Sequence, residues 1–209
     1  MPSALEPTPA ADTAPPSEAV RRIHETILAH VAGGYDSRER VVEDATAVAA
    51  QWWQGGDAAV FIAREVDSAF AEQAKAEATW KGITDCDKID RALAALERKG
   101  ILARPHFKGS QETADAAIHD EVGKARAAGK KVRGWVYWNE TQTWEVLQTK
   151  ELALIFGAPS LPPDERWAAL AREILQAFKA EGLSADWPYQ NAAYPVILKN
   201  LDWKRRAMK

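Results

Sequence analysis

The chain has 209 residues, of which 46% are hydrophobic and 27% charged, and its net charge is -3. That length is enough for one sizeable domain, or one domain plus a small helical extension, and so mild a charge does not suggest steering toward nucleic acid or acidic lipid. A single cysteine, Cys86, excludes an internal disulfide and a multi-cysteine zinc site, and no apolar run approaches the roughly 18 residues of a membrane span.

In chain order, residues 1–16 carry five prolines among alanines and read as a disordered tail without the basic and apolar regions of a secretory signal. A cytoplasmic protein is therefore expected. Residues 17–206 read as one α+β domain, with a helical lobe over 17–83 and a sheet-containing part over 84–206. Ser17 opens a helix whose stripe is Val20, Ile23, Ile27 and Val31, stopped by Gly33 and Gly34. Asp36 with Glu39 has capping-box spacing and predicts a second helix with Val41, Ala45, Val48 and Trp52 on one face. Gly55 and Gly56 break the chain. Asp57 then opens a third helix to about Trp80, with Ile62, Val66, Phe70 and Ala74 as its stripe.

The run from Thr84 to Phe107 is the clearest unit. Thr84 or Asp85 caps a helix, Ile89, Leu93 and Leu96 form its stripe, and Gly100 ends it in the left-handed position. A strand follows with Ile101, Ala103 and Phe107 on one face, and Pro105, lacking a ladder donor, predicts a strand edge or end. Ser110 caps the next helix, which bears Ala114, Ile118, Val122 and Ala125. Val132 to Asn139 is the strongest strand, with Trp138 on one face and Trp135 and Tyr137 on the other, a pattern of a strand covered twice. Trp144 and Leu147 fall in a connector of one or two helical turns. Leu152, Leu154 and Phe156 alternate in a further strand.

Leu161 to Asp164 introduces the last long helix, lined by Trp167, Leu170, Ile174 and Phe178, and Leu183–Trp187 and Tyr194–Leu198 read as two final strands. The tail packs Trp203 and frays beyond it. The expected fold is a helical N-terminal lobe followed by a mainly antiparallel sheet of four or five strands packed with helices.

Few residues carry chemistry. Cys86 sits in a first helical turn, where the dipole favours a thiolate, but Asp85 and Asp87 flank it and oppose that charge, so an inert thiol is expected. Glu112, Asp115 and His119 fall at i, i+3 and i+7 of one helix and, with His106 on the preceding strand, form the alternative reading, a metal-dependent enzyme. That spacing matches no defined ligand motif, so a solvated helix face is favoured and no catalytic residue, metal or cofactor is expected. His24 and His30 lack partners at catalytic spacing. The glycine pairs do not follow strands, as phosphate loops require. The basic clusters Lys130-Lys131-Arg133 and Lys204-Arg205-Arg206 are short, so no nucleic-acid partner is expected.

Nine tryptophans are the compositional oddity. Trp138 and Trp144, with the acidic Glu140, Glu112 and Asp115, make the expected surface for a protein partner. Several runs also resemble an uncharacterised bacterial family of unknown function: Glu77 to Ala103, His106-Phe107, Gln111, Asp120-Glu121, Val132 to Tyr137, and Leu201 to Arg206. The resemblance extends from about Thr26 to Arg206 and implies the fold and a cytoplasmic bacterial setting, with no established activity. Relatives are cysteine-rich after the His106-Phe107 position, whereas Lys108 to Thr113 contains none, which weakens a metal or redox reading here. The expectation is a non-catalytic protein-binding protein, in its sharpest form an immunity-type protein that occludes a toxin's active site.

Overall fold

Local signals account for most elements of the computed structural model, which describes residues 17–53, 57–159, 165–190 and 194–207. The proline-rich tail, the Gly55–Gly56 break and the Leu161–Asp164 lead-in lie outside those residues. Helices α1 (Ser17–Gly33), α2 (Arg38–Trp52) and α3 (Ala58–Thr79) pack around Ile23, Ile27, Val41, Ala45, Ile62 and Val66. Each contributes one apolar stripe, and three stripes facing inward make a bundle with its own core.

Helix α4 (Asp85–Arg98) begins on a reciprocal capping box. The Thr84 hydroxyl accepts from the Asp87 N–H at 3.1 Å and the Asp87 carboxylate accepts from the Thr84 N–H at 2.8 Å. Its stripe of Ile89, Leu93 and Leu96 is buried, each side chain stabilising the fold by about 1.5–3 kcal/mol. Gly100, at φ 77°, turns the chain directly into β1 (Ile101–Phe107). Helix α5 (Gln111–Ala127) then crosses back so that β2 (Gly134–Asn139) pairs parallel to β1.

Helix α6 (Glu140–Thr149), β3 (Leu152–Gly157), α7 (Glu165–Ala180), β4 (Ser184–Asp186) and β5 (Val196–Lys199) complete the chain. The sheet order is β1-β2-β3-β5-β4, and every pairing except β1–β2 is antiparallel. Strand β2 is buried along its whole length. Its Val136 and Trp138 face the larger core with α4 and α7, whereas Trp135 and Tyr137 face a smaller one under α5.

Strand β1 is one edge of the sheet, as Pro105 implied, and side chains close that edge. Glu97 accepts from the Ala103 N–H at 3.1 Å, and Arg104 donates to the Ala103 carbonyl at 2.7 Å and to Glu97 at 2.6 Å. With Pro105 offering no donor, little is left for a foreign strand to pair with.

Four expectations are corrected. Phe107 does not share a face with Ile101 and Ala103: the register shifts between Arg104 and Phe107, His106 adopts φ 52°, and the bulge sends Phe107 to the α5 side. The N-cap of α2 is Ser37, not Asp36, because Asp36 is turned inward to other partners while the Ser37 hydroxyl accepts from the Arg40 N–H. The connector holding Trp144 is a ten-residue helix, capped by Asn139 in a second reciprocal box with Gln142. The tail does not fray after Trp203.

Residues Asp202 to Ala207 instead form a strap across the helices. The Asp202 N–H donates to Asp85, Trp203 Nε1 to the Gly33 carbonyl, Arg206 to Asp87 and the Ala207 N–H to Glu77. Arg205 pairs with both carboxylate oxygens of Asp90 at 2.8 and 3.0 Å and is only 11% exposed.

A Cβ at Gly34 (φ 77°) would lie 2.7 Å from Cγ of Arg205, whereas Gly129 has a matching φ of 78° and open space around it. Gly34→Ala is therefore expected to cost about 1 kcal/mol more than Gly129→Ala, read from urea unfolding. Equal losses would mean that the strap yields freely.

Candidate functional site

The chain gathers its most unusual chemistry where the helical lobe meets the sheet. Helix α1 carries His30 in its last turn, on the buried side. Gly34 reverses the chain, and Asp36 then faces back toward α1. The β1 bulge turns His106 to the same point, and α6 supplies Thr143.

His30 Nδ1 lies 2.8 Å from Asp36 Oδ2, and His106 Nε2 lies 3.3 Å from the same oxygen, near enough for an ion pair but outside hydrogen-bond alignment. His106 Nδ1 meets the Thr143 hydroxyl at 2.9 Å, and that hydroxyl also accepts from Trp138 Nε1 at 3.1 Å. The Tyr35 ring stacks on His106 with centroids 4.6 Å apart, and the guanidinium of Arg205 sits over the Tyr35 ring at 4.3 Å. Trp144 meets the other imidazole, His30, edge-on at 5.3 Å.

Burial opposes the charged form of Asp36, but the two imidazoles outweigh that penalty and hold its carboxyl well below the usual range. A carboxylate beside an imidazole is a pairing that acid–base catalysts use. Here the side chains of His30, Asp36 and His106 are only 2%, 2% and 5% exposed. They are closed off from solvent, and the arrangement clamps α1 to the edge strand of the sheet. Lys108, an exposed cation, lies 3.8 Å from Asp36 Oδ1.

The residues expected to act together are distributed differently. His106 lies on the Trp138 face of the sheet, whereas Asp115 accepts from the Tyr137 hydroxyl and His119 stands exposed beside Trp135, both on the α5 face. The sheet separates them, and the described residues contain no group of three or more His, Cys, Asp or Glu able to hold a metal. Trp138 is fully buried, so it belongs to the core and not to a surface. Trp144 is half-buried against His30, Glu112 is exposed on α5, and Glu140 accepts from the Gly109 N–H at 3.0 Å, which brings the starts of α5 and α6 together.

The basic clusters are largely consumed within the chain: Arg133 pairs with Glu173, Lys204 with Asp202, Arg205 with Asp90 and Arg206 with Asp87. Burial pushes the Cys86 thiol up to about 12, in keeping with an inert cysteine. Reasoning from sequence missed His30, Tyr35, Asp36 and Arg205. One signal was present: His30 follows Ile27 by three residues and so falls on the apolar side of α1.

The open surface lies elsewhere. A groove of about 410 Å³ runs between α1 and α3, with Ile27, Val31 and Ala69 on its floor and Glu65 and Glu72 on its rim. Leu28 borders it and is 60% exposed. A second hollow, about 460 Å³, lies beside the closed edge of β1.

Residues 16–207 match the model of a family described as a domain of unknown function, DUF6891, and the chain belongs to that family. No curated protein matches the chain, and no solved structure matches it.

The folded chain keeps Asp36 ionised to lower pH than the unfolded chain does. Its contribution is complete above about pH 4, the unfolded carboxyl value, and is lost as pH falls further. Asp36→Asn is expected to cost about 3 kcal/mol at neutral pH and to flatten the dependence of stability on pH in the acid range, both measured by urea unfolding. An unchanged acid slope would remove Asp36 from this role. Cys86 is expected to resist a thiol reagent near neutral pH until the chain is unfolded.

Proposed function

We propose that this member of the family is a non-catalytic cytoplasmic protein whose work is to bind another protein. The observation that supports this reading best is a contrast. The histidine–carboxylate cluster is sealed at 2–5% side-chain exposure, while an apolar-floored groove on the helical lobe stands open with Leu28 60% exposed. A buried carboxylate that pins elements together is a structural device, whereas a concave apolar surface left open is a place where a partner can bury area.

The sharpest form of the proposal is an immunity-type protein that neutralises a bacterial toxin by covering its active site. An acidic, helical surface suits that task, and the helical lobe from Ser17 to Ile83 carries eleven acidic against seven basic side chains. The alternative metal-dependent enzyme built on His106, Glu112, Asp115 and His119 has no such support, since the sheet stands between its members.

The test is affinity capture of the tagged chain from the cytosol of its own cell, with mass spectrometry of what co-elutes. One protein at stoichiometric amount is the expected result. Absence of any stoichiometric protein, together with turnover or a retained metal in the purified chain, would replace the binding reading with an enzymatic one.

A further inference from the structure

We propose that the α1–α3 groove is the docking site for one amphipathic helix of a protein partner, carrying lysine or arginine beside its apolar face. This inference rests on the binding reading above and names the partner's chemistry.

The shape argues for a helix. Helices α1, α2 and α3 form a three-helix bundle, and the groove lies along the α1–α3 seam, where a fourth helix would complete a bundle. Its floor is apolar, with Ile27 and Val31 nearly fully buried, and its walls include the small side chains Ala32, Ser68 and Ala69. Small walls let a helix axis approach to the usual 8–10 Å or so. Leu28, on the lip, would lose water only on docking.

The charge argues for a cationic helix. Glu65 and Glu72 are seven residues apart on α3, which is about 10 Å along the helix, so both point toward the same side. The present partner of Glu72 is a weak competitor. Glu72 pairs with Lys75 three residues on, with both side chains about 70% exposed, and such pairs contribute under about 1 kcal/mol. Glu65 holds Arg64 and His24, a less exposed arrangement on the same rim. A lysine or arginine seven residues from another on the incoming helix would meet both carboxylates, whereas an anionic membrane surface would be repelled by them.

The test uses a defined probe: a fluorescent peptide of about 18 residues, five helical turns, patterned with leucine on one face and lysine beside it. A leucine–glutamate peptide of the same pattern is its counterpart. Fluorescence anisotropy is expected to give saturable binding of the lysine peptide only, weakened at least about tenfold by Leu28→Glu and likewise by Glu72→Lys. Leu28→Glu adds an attractive charge for a cationic peptide, so weakening there reports the apolar contact and not general electrostatics. Both positions face solvent, and an unchanged circular dichroism melt verifies that the variants fold.

Binding that is indifferent to Leu28→Glu, equal binding of the two peptides, or no binding of either would overturn the proposal. Capture from cytosol separates this failure from that of the wider reading. A partner retained equally by wild type and Leu28→Glu would place docking elsewhere while keeping the binding function, and no partner for either would remove that function.

Discussion

One buried carboxylate organises the junction on which the rest depends. Asp36 has its charge taken out of water, which is tolerable only while His30 and His106 stay beside it. His30 belongs to the helical lobe and His106 to the edge strand of the sheet. The placement of the two parts brings both imidazoles to the carboxylate. The clamp ties the two parts together, since removing either imidazole would leave the buried carboxylate with fewer partners.

The clamp extends in both directions through contacts that are individually ordinary. From Asp90, Arg205 reaches over Tyr35, Tyr35 stacks on His106, and His106 leads to Asp36 and His30. On the far side His30 meets Trp144 and lies 3.4 Å from Asp44. The C-terminal strap thus completes a polar and aromatic seam laid down by residues much earlier in the chain. Its arginines carry out this internal work, which is why a basic tail that reads as solvated is almost fully engaged.

The same economy of polar groups shapes the surface. Glu97 and Arg104 meet beside the edge of β1 and occupy the backbone groups of Ala103, so that edge does not offer itself to a passing strand. On the helical lobe, an apolar-floored groove stays open along the α1–α3 seam. Two of the four histidines, His30 and His106, are turned inward, while Leu28 beside the groove is turned to solvent.

Much of this was legible in the sequence where the deciding contacts are a few residues apart. The Thr84–Asp87 box, the Ile89–Leu93–Leu96 stripe, the stop at Gly100, the two faces of β2 and the edge position marked by Pro105 all follow from such short-range rules. The site was not legible for the opposite reason. Ser37 and Asp36 are equally good caps locally, and only the imidazoles decide which turns inward. Phe107 changes face at a bulge where His106 takes a positive φ and turns toward Asp36, which no alternation rule contains. The strap binds α1 through Trp203 and Gly33, 170 residues apart in sequence. The sequence by itself determined the elements and their apolar faces, since helix caps, glycine stops and strand alternation act between neighbours. Tertiary structure alone decided which polar groups meet, since a buried charge chooses its partners by proximity in space.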